Sequence, residues 1–453
     1  MIKQLLKKNK TILNATKQLY ALIPQQLRLG NEFWKWWAFY EESESWSIKQ
    51  LREYQLEQIQ QLCSNLRESS NYYREVLPET ISSLKEYSQV VPEMRRSVFK
   101  ENFSAILNVN LKTMKVVSSK TSGTTGSALQ FYHLKKDAAR EWASICHQWK
   151  RVGYDPKTSK RARFSGLTSS KKGIDYFSHK NFVRFSILNR SIDAIREYGR
   201  VIEKEDLSFY HGYPSAISLL AKKIMDEKIR FPQPKAVLLA SEMLYDWQLD
   251  LIHCAFPNAK IFAHYGCAER TVLGAWCEKN RAYHILPQYS FVEFDQNTKE
   301  IIGTNLYNTA NGFLRYRMTD VASEVTETPC PICNRPYTPI IKQIVGRRED
   351  YLYSTEKGWI PPAIITYPLK SLTNITETQF VQNKADIIYV RYAVKQSPNE
   401  EKISQETNDI KLGIFKILGS SVQVKFERVS AIKRNKSGKF KWIISSLPQP
   451  GNE

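Results

Sequence analysis

The chain has 453 residues, of which 42% are apolar and 12% aromatic, and its net charge is +21. This length suffices for two or three domains with apolar cores, which excludes a disordered chain. No stretch offers the roughly 18 consecutive apolar residues of a membrane span, and the lysine-rich start lacks the apolar run of a signal peptide, so we expect a cytoplasmic protein. Seven cysteines, an odd number, argue against a secreted disulfide framework. The charge favours an anionic partner such as nucleic acid, anionic lipid, CoA or an acidic glycan, although solvated lysine faces explain it equally well.

The first elements in chain order are a helix and two strands that flank a glycine-rich loop. Residues 47–67 begin with an S-x-x-Q capping box and repeat apolar residues at helical spacing, which predicts a helix. The segments MKVVSS and ALQFYHL predict strands on either side of the loop TSGTTG, residues 121–126. Small residues let backbone N–H groups close around an anion, so this loop indicates a nucleotide's phosphates. It lacks the lysine and the following helix of a Walker loop, which excludes that kind of site.

The middle of the chain repeats a pattern of strand, turn and helix. A helix is expected over KDAAREWASICHQW, with Asp137 as a candidate cap. Residues 207–225, 235–256 and 259–276 each run from a short apolar segment through a polar or glycine turn into a helical pattern. Such units predict an α/β layered core whose ligands gather at the carboxyl ends of the strands, where SEML, HGYPS and HYGCAE fall.

The last hundred residues have a different pattern of predicted strands and helices. ADIIYVRYAV and SSVQVKFERVS predict strands, a long polar segment between them predicts a helix, and IKRNKSGKFKW is a basic loop. We therefore expect a large N-terminal domain of layered sheets and helices over residues 1–345 and a small α+β C-terminal domain over residues 346–453.

Six short motifs follow one another along the chain. They are TSGTTG, SEML (241–244), YGCAE (265–269), RYRMTD (315–320), GRRED (346–350) and NKSGK (435–439). This ordered set resembles the adenylate-forming superfamily of acyl-CoA synthetases. Within it the likeness is to the phenylacetate-CoA ligase-like branch, which includes CapK-type proteins of capsular polysaccharide clusters. The resemblance extends over residues 47–439.

The resemblance implies that the protein joins a carboxylic acid to the α-phosphate of ATP, with Mg²⁺, and then transfers the acyl group. The phosphate loop would hold the β and γ phosphates through Thr121, Ser122, Gly123, Thr124, Thr125 and Gly126. Tyr265 and Gly266 resemble the adenine segment, Glu269 the magnesium ligand, Asp320 the ribose acceptor, and Arg347 the arginine at the same sugar. Ser241 and Glu242 belong to the same nucleotide site. Taken singly, Glu269 also fits an acid at a helix N-terminus and Asp320 a turn residue.

Two further positions are implied for the C-terminal domain. Lys439 corresponds to the catalytic lysine that steadies negative charge between the carboxylate and the α-phosphate, alongside Glu269 as the second catalytic residue. Lys436 is the rival for that role. Glu349 falls where the family hinges, so the small domain is expected to be mobile.

A second pattern is a set of metal ligands. Cys330 and Cys333 form a C-x₂-C knuckle, and Cys277 with His284 matches the spacing of the phenylacetate-ligase branch. A Cys₃His set suits tetrahedral, structural Zn²⁺. The alternative is buried cysteines beside a surface histidine.

The acyl pocket is expected to be bordered by His211, Tyr213 and Ser215, with packing as the alternative. Two positions depart from the family's pattern. Ala268 stands where the family usually has threonine, whose hydroxyl meets the α-phosphate, and RMTD replaces the commoner R-T-G-D. Loss of one polar contact costs about 1 kcal/mol net, which slows an enzyme without abolishing its activity.

Three functions follow as hypotheses. The first is an adenylate-forming ligase whose acceptor is CoA or an amine or hydroxyl of a surface-polysaccharide precursor, with peripheral contact at the inner membrane surface and no nucleic acid. The second is a relative that binds nucleotide but has weakened or lost adenylation, which Ala268 motivates. The third is a basic, zinc-containing nucleic-acid-binding protein, which would leave the six ordered motifs unexplained.

Overall fold

The computed structural model describes residues 10–120, 129–165, 168–170, 172–187, 189, 191–347, 350–360, 362–366, 369, 372–434 and 440–447. Its N-terminal part is helical: α1 (Lys10–Leu22), α2 (Gln25–Ser43), α3 (Ile48–Ser69), α4 (Asn71–Val76), α5 (Leu84–Val90), α6 (Arg96–Glu101) and α7 (Phe103–Ile106). The predicted capping box is confirmed, because the Ser47 side chain accepts from Gln50 N–H and the Gln50 side chain accepts from Ser47 N–H. Helix α3 buries Ile59 and Leu66 completely, and such burial contributes roughly 1.5–3 kcal/mol per side chain.

The glycine-rich loop is flanked by two paired strands. Strands β1 (Val116–Lys120) and β2 (Gln130–Leu134) are antiparallel, with Lys120 opposite Gln130. The next helix, α8, covers Asp137–Trp149. Asp137 is its first residue and not its cap, since Lys136 already has helical backbone angles and the Asp137 carboxylate accepts from Leu134 N–H, 3.1 Å away.

One large mixed sheet forms the centre of the molecule. Its strands are β3 (Arg161–Ser165), β4 (Ile174–Phe177), β5 (Phe182–Ser186), β6 (Phe209–Gly212), β7 (Ala236–Ala240), β8 (Lys260–Gly266), β9 (Leu273–Trp276), β10 (Tyr283–Ile285), β11 (Ser290–Phe294), β12 (Glu300–Asn305), β13 (Tyr316–Thr326) and β14 (Ile340–Arg347). They lie in the order β11-β12-β13-β14-β10-β9-β8-β7-β6-β3-β5-β4. Strands β3, β5, β6, β7 and β8 pair in parallel, so their carboxyl ends share one edge. The connecting helices are α9 (Ile192–Lys204), α10 (Pro214–Asp226) and α11 (Asp246–Ala255), which confirms the layered α/β core.

The predicted helix after YGCAE is wrong. The chain turns after Gly266, with Arg270 N–H donating to Cys267 O, and returns as β9 antiparallel to β8. Every residue of β9 is buried between β8 and β10. The sequence pattern of a short apolar run does not distinguish a buried strand from a buried helix. Here the run forms a strand because it pairs with β8 and β10 on its two sides.

The C-terminal part has its own sheet and core. After a hairpin of β15 (Leu352–Ser354) and β16 (Gly358–Ile360) and helix α12 (Pro362–Ile365) come β17 (Ile375–Lys384), β18 (Ile387–Val394), α13 (Glu400–Leu418), β19 (Gln423–Arg428) and β20 (Ile443–Ser445). The sheet order is β19-β18-β17-β20. Its apolar cluster begins at Leu352, separate from the main core. Among the described residues, no helix is both long and apolar enough to cross a lipid bilayer.

Candidate functional site

A cavity of about 270 Å³ lies at the carboxyl ends of β7 and β8. Six of the residues assigned to the nucleotide line it: Ser241, Glu242, Tyr265, Gly266, Asp320 and Arg347. The C-terminal part contributes Lys433, Phe440, Lys441 and Trp442 to the lining. Residues more than two hundred positions apart in the sequence therefore meet around one space.

Asp320 is the centre of the hydrogen bonds in this cavity. The pairing of β13 with β14 sets Asp320 opposite Arg347, and Arg347 Nε donates to Asp320 Oδ1 over 3.0 Å. The Tyr265 hydroxyl donates to Oδ2 over 2.6 Å. Burial and the adjacent Asp320 carboxylate raise the pKa of Tyr265 well above its ordinary value, so the phenol keeps its proton and remains a donor. Asp320 lies within β13, so the interpretation of it as a turn residue is wrong.

Glu269 lies in the turn between β8 and β9 and is buried. Its backbone carbonyl accepts from Asn305 Nδ2 over 3.0 Å, which fixes the turn against β12. Burial raises the pKa of the Glu269 carboxyl, while Arg347 acts in the opposite direction. Because β9 follows the turn, Glu269 is not an acid at a helix N-terminus. Glu269 is not among the residues that line the cavity, although its charge interacts with Asp320 and Arg347 there.

The SEML segment joins the two parts of the molecule. Ser241 has a φ of 69°, an uncommon conformation for a residue other than glycine, and it turns the chain sharply after β7. Glu242 then accepts from two backbone N–H groups, that of Ser215 at 3.1 Å and that of Phe440 at 2.8 Å. Burial raises the pKa of Glu242, which these hydrogen bonds partly oppose. Glu242 therefore holds the C-terminal segment that begins at Phe440 against the edge of the large sheet.

A second contact between the two parts was missed in the sequence. Arg434 Nη1 donates to Ser215 Oγ over 3.1 Å, and its Nη2 donates to Glu377 Oε1 over 3.1 Å. Both Arg434 and Glu377 side chains are only 4% exposed. In the sequence Arg434 belongs to a basic run around Lys439, and nothing in the spacing of that run separates an inward-facing arginine from solvated lysines.

Several assigned residues lie outside the described residues. They are the phosphate loop Thr121, Ser122, Gly123, Thr124, Thr125 and Gly126, together with Glu349, Lys436 and Lys439. Their flanks are described: β1 ends at Lys120, and Phe440 follows Lys439 directly.

The four residues of the predicted metal set come together. The ligand atoms of Cys277, His284, Cys330 and Cys333 all lie within 4.8 Å of one another. The Nδ1 atom of His284 lies 3.1 Å from the carbonyl oxygen of Tyr337, which orients its Nε2 to within 3.5 Å of Cys333 Sγ. His284 is completely buried and is therefore not a surface histidine. Three thiols and one oriented imidazole fit a tetrahedral zinc ion.

Ala268 lies in the turn between β8 and β9, and its side chain is exposed. The carbonyl of Ala268 lies 2.9 Å from His133 Nε2. Burial, followed by the charge of Arg270, lowers the pKa of His133 to about 4, so at neutral pH the imidazole is uncharged and donates its Nε2 proton to that carbonyl. The turn is thus held by its backbone, and the side chain at position 268 is exposed.

Comparison with known proteins gives a match to the C-terminal part and a likeness over most of the chain. Residues 352–446 match the family described as CapK C-terminal domain. Over 433 residues the chain is 25% identical to Protein CapK of Staphylococcus aureus, an alignment that covers 90% of this chain and 92% of that protein.

Solved structures give the fold. A 2-hydroxyisobutyryl-CoA ligase in the postadenylation state, in complex with R3-HIB-AMP, aligns with a TM-score of 0.64 at 17% identity and covers 89% of this chain and 91% of its own. The same ligase in complex with 2-HIB-AMP and CoA in the thioesterification state aligns with a TM-score of 0.51 at 18% identity, over 89% and 91% of the two chains. The chain therefore has the fold of the adenylate-forming ligases and resembles protein CapK over most of its length, and its residues 352–446 match the CapK C-terminal domain.

Proposed function

We propose that the protein is an adenylate-forming ligase of the phenylacetate-CoA ligase-like branch. It joins a carboxylic acid to the α-phosphate of ATP, releases pyrophosphate, and transfers the acyl group to CoA or to an amine or hydroxyl acceptor in surface-polysaccharide biosynthesis. The observation that carries the proposal is the cavity in which Asp320, held by Tyr265 and Arg347, faces the segment that directly follows Lys439.

Each side chain in the cavity has a task in this reaction. Asp320 accepts the ribose hydroxyls, and Arg347 and Tyr265 hold its carboxylate in place for them. Glu269 is a buried carboxylate whose charge a bound Mg²⁺ would offset, so it suits the metal that carries the ATP phosphates. Residues 121–126 bind the β and γ phosphates. Lys439 stabilises the negative charge that develops between the substrate carboxylate and the α-phosphate.

The position of Lys439 depends on the contacts of its neighbours. Glu242 accepts from Phe440 N–H, and Arg434 donates to Ser215, so the residues on either side of 435–439 contact the large sheet's domain. We place the domain boundary at residue 346 and infer that rotation about Glu349 removes Lys439 after adenylation. Breaking the Glu242 and Arg434 contacts is then part of that rotation.

The Cys₃His cluster is proposed to bind one structural Zn²⁺. It joins the turn after β9, which carries Cys277, to β10 and to the loop between β13 and β14, which carries Cys330 and Cys333. Zinc would brace this side of the sheet, where β14 also carries Arg347 into the cavity. With four protein ligands it has no open position for substrate.

The test is ATP–pyrophosphate exchange with pooled carboxylic and amino acids. The wild type and Lys436→Ala are expected to show exchange with at least one pool, and Lys439→Ala to lose it by about a hundredfold or more, as expected when a group that stabilises transition-state charge is removed. Equal loss in both lysine variants would contradict the assigned role. ATP binding without exchange for any acid would instead support a nucleotide-binding relative, which Ala268 in place of threonine favours.

A further inference from the structure

Three arginines share one face of the large sheet. Arg163 on β3 is the register partner of Arg184 on β5 and of His211 on β6. Arg161 lies two residues before Arg163, so its side chain projects to the same side of the sheet. We call Arg161, Arg163 and Arg184 the arginine row.

Among the described residues, the guanidinium groups of the arginine row form no ion pair. Within the part of the chain that the structure describes, the Arg163 side chain has no hydrogen bond or ion pair, and the buried Nε atoms of Arg161 and Arg184 have no hydrogen-bond partner. The Arg161 guanidinium lies 4.7 Å over the ring of Trp142, and its Nη1 is 3.4 Å from His211 Nδ1. Asp175 is the register partner of Arg184, but its carboxylate already accepts from backbone N–H groups of Ser169 and Ser170.

Arg161 is buried, while Arg163 and Arg184 are half-buried. Charge withdrawn from water without an ion pair is unfavourable, and here the charges also repel one another. Burial and the neighbouring Arg161 and Arg184 lower the pKa of Arg163. A bound anion would relieve both effects, and guanidinium groups bind carboxylate and phosphate with paired hydrogen bonds.

The arginine row lies on the face of the sheet that also carries His264, and Arg163 is in register with Phe262, two residues before His264. Only β6 separates β3 from β7, and strands are about 4.8 Å apart, so Arg163 lies roughly 10 Å from the strand that leads into the cavity. His264, which lines the cavity, is on the same face, and the ring of Trp149 lies 6.1 Å from that of His264 and 5.1 Å from that of His211. A molecule that extends from the cavity past the two histidines would reach Arg163.

We propose that the arginine row binds a second anionic group, a carboxylate or a phosphate, on the acid that the protein activates, remote from the carboxyl group that reacts. This inference rests on the proposed function for the identity of the ligand. It assigns the substrate to the class of dianionic acids. An acid without the second anion leaves the guanidinium groups unpaired and is therefore selected against.

Binding without ATP tests the arginine row independently of catalysis. The full-length wild type, Arg163→Gln and the control Arg196→Gln, an exposed arginine on α9, are titrated with dicarboxylates from succinate to suberate, their monomethyl esters and 4-phosphonobutyrate. We expect one of the dianions to bind at least about tenfold more tightly than its half-ester in wild type and control, and this preference to vanish in Arg163→Gln. The phosphonate and the dicarboxylates together distinguish a phosphate from a carboxylate as the bound group. A preference for dianions that persists in Arg163→Gln, or none in the wild type, would overturn the inference.

Exchange assays with the same acids separate this inference from the proposed function. If the inference and the proposed function both hold, Arg163→Gln raises the KM for the preferred dianion about tenfold or more and leaves kcat and the KM for its half-ester unchanged. Arg163→Lys then restores part of the affinity for the dianion. If binding depends on Arg163 but no acid supports exchange, the proposed function fails and the anion site stands. If monoanionic acids exchange well and Arg163→Gln changes nothing, the proposed function stands and the dianionic substrate class is wrong.

Discussion

At the scale of single residues, the surroundings of Asp320 depend both on short sequence motifs and on the pairing of distant strands. The motif RYRMTD assigns Asp320 and GRRED assigns Arg347, and the pairing of β13 with β14 places them opposite each other. The hydroxyl of Tyr265 completes the arrangement at 2.6 Å. No sequence pattern predicts that third contact, because it requires β8 and β13, on different sides of β9, β10 and β14, to bring their ends to one cavity.

The alanine at position 268 gives a test by gain of function. Ala268 is exposed at its turn, so a larger side chain fits there without displacing the core. We expect Ala268→Thr to increase the rate of ATP–pyrophosphate exchange about fivefold, since one added polar contact to the α-phosphate contributes about 1 kcal/mol. Ala268→Val, which has the shape of threonine without the hydroxyl, is the matched control. An equal increase in both variants, or a decrease only in Ala268→Thr, would refute the missing-contact explanation.

At the scale of elements, the hydrogen bond from Phe440 N–H to Glu242 joins the SEML segment to the C-terminal part. Glu242→Gln keeps the shape of the side chain but replaces one acceptor oxygen by an amide donor, so one of the N–H groups of Ser215 and Phe440 loses its partner. We expect hydrogen–deuterium exchange of residues 440–447 to become at least about tenfold faster, as one hydrogen bond to a charged group contributes about 1.5–3 kcal/mol.

The matched control for this variant is Glu356→Gln. Glu356 is exposed and accepts from Ser421 N–H at 2.9 Å within the C-terminal part, away from the cavity. Its replacement should leave residues 440–447 unchanged. If Glu242→Gln also leaves their exchange unchanged, Glu242 does not hold this segment.

If the Cys₃His cluster binds zinc, both the metal content and the Tm of the protein depend on it. Cys330→Ser is expected to purify with less than one zinc ion per chain, in contrast to the wild type, and to lower the Tm by roughly 6 °C or more, because a structural metal contributes directly to the free energy of folding. Cys254→Ser, which alters an exposed thiol elsewhere, is the control. Wild type purified without stoichiometric metal, with a Tm equal to that of Cys330→Ser, would refute the zinc site.

At the scale of the whole molecule, the sequence predicts the layered α/β core and the small C-terminal α+β part but not how they meet. Strands and helices with strong periodicity, such as α3 and α13, are recognisable locally. The prediction of a helix at β9 is wrong. The four residues of β9 form a strand because they fill the space between β8 and β10. The contacts of Glu242 with Phe440 and of Arg434 with Ser215 are not predictable from the sequence for the same reason, since the partners lie about 200 residues apart.

The measurement that tests the central claim most directly is the affinity of the full-length protein for ATP in the presence of Mg²⁺. Isothermal titration should show binding to the wild type and to Asp409→Ala, an exposed acid on α13, and a Kd at least about tenfold higher in Asp320→Ala, because both ribose hydroxyls lose their acceptor. An unchanged Kd in Asp320→Ala, with the Tm of the variant preserved, would contradict the assignment of this cavity to the nucleotide.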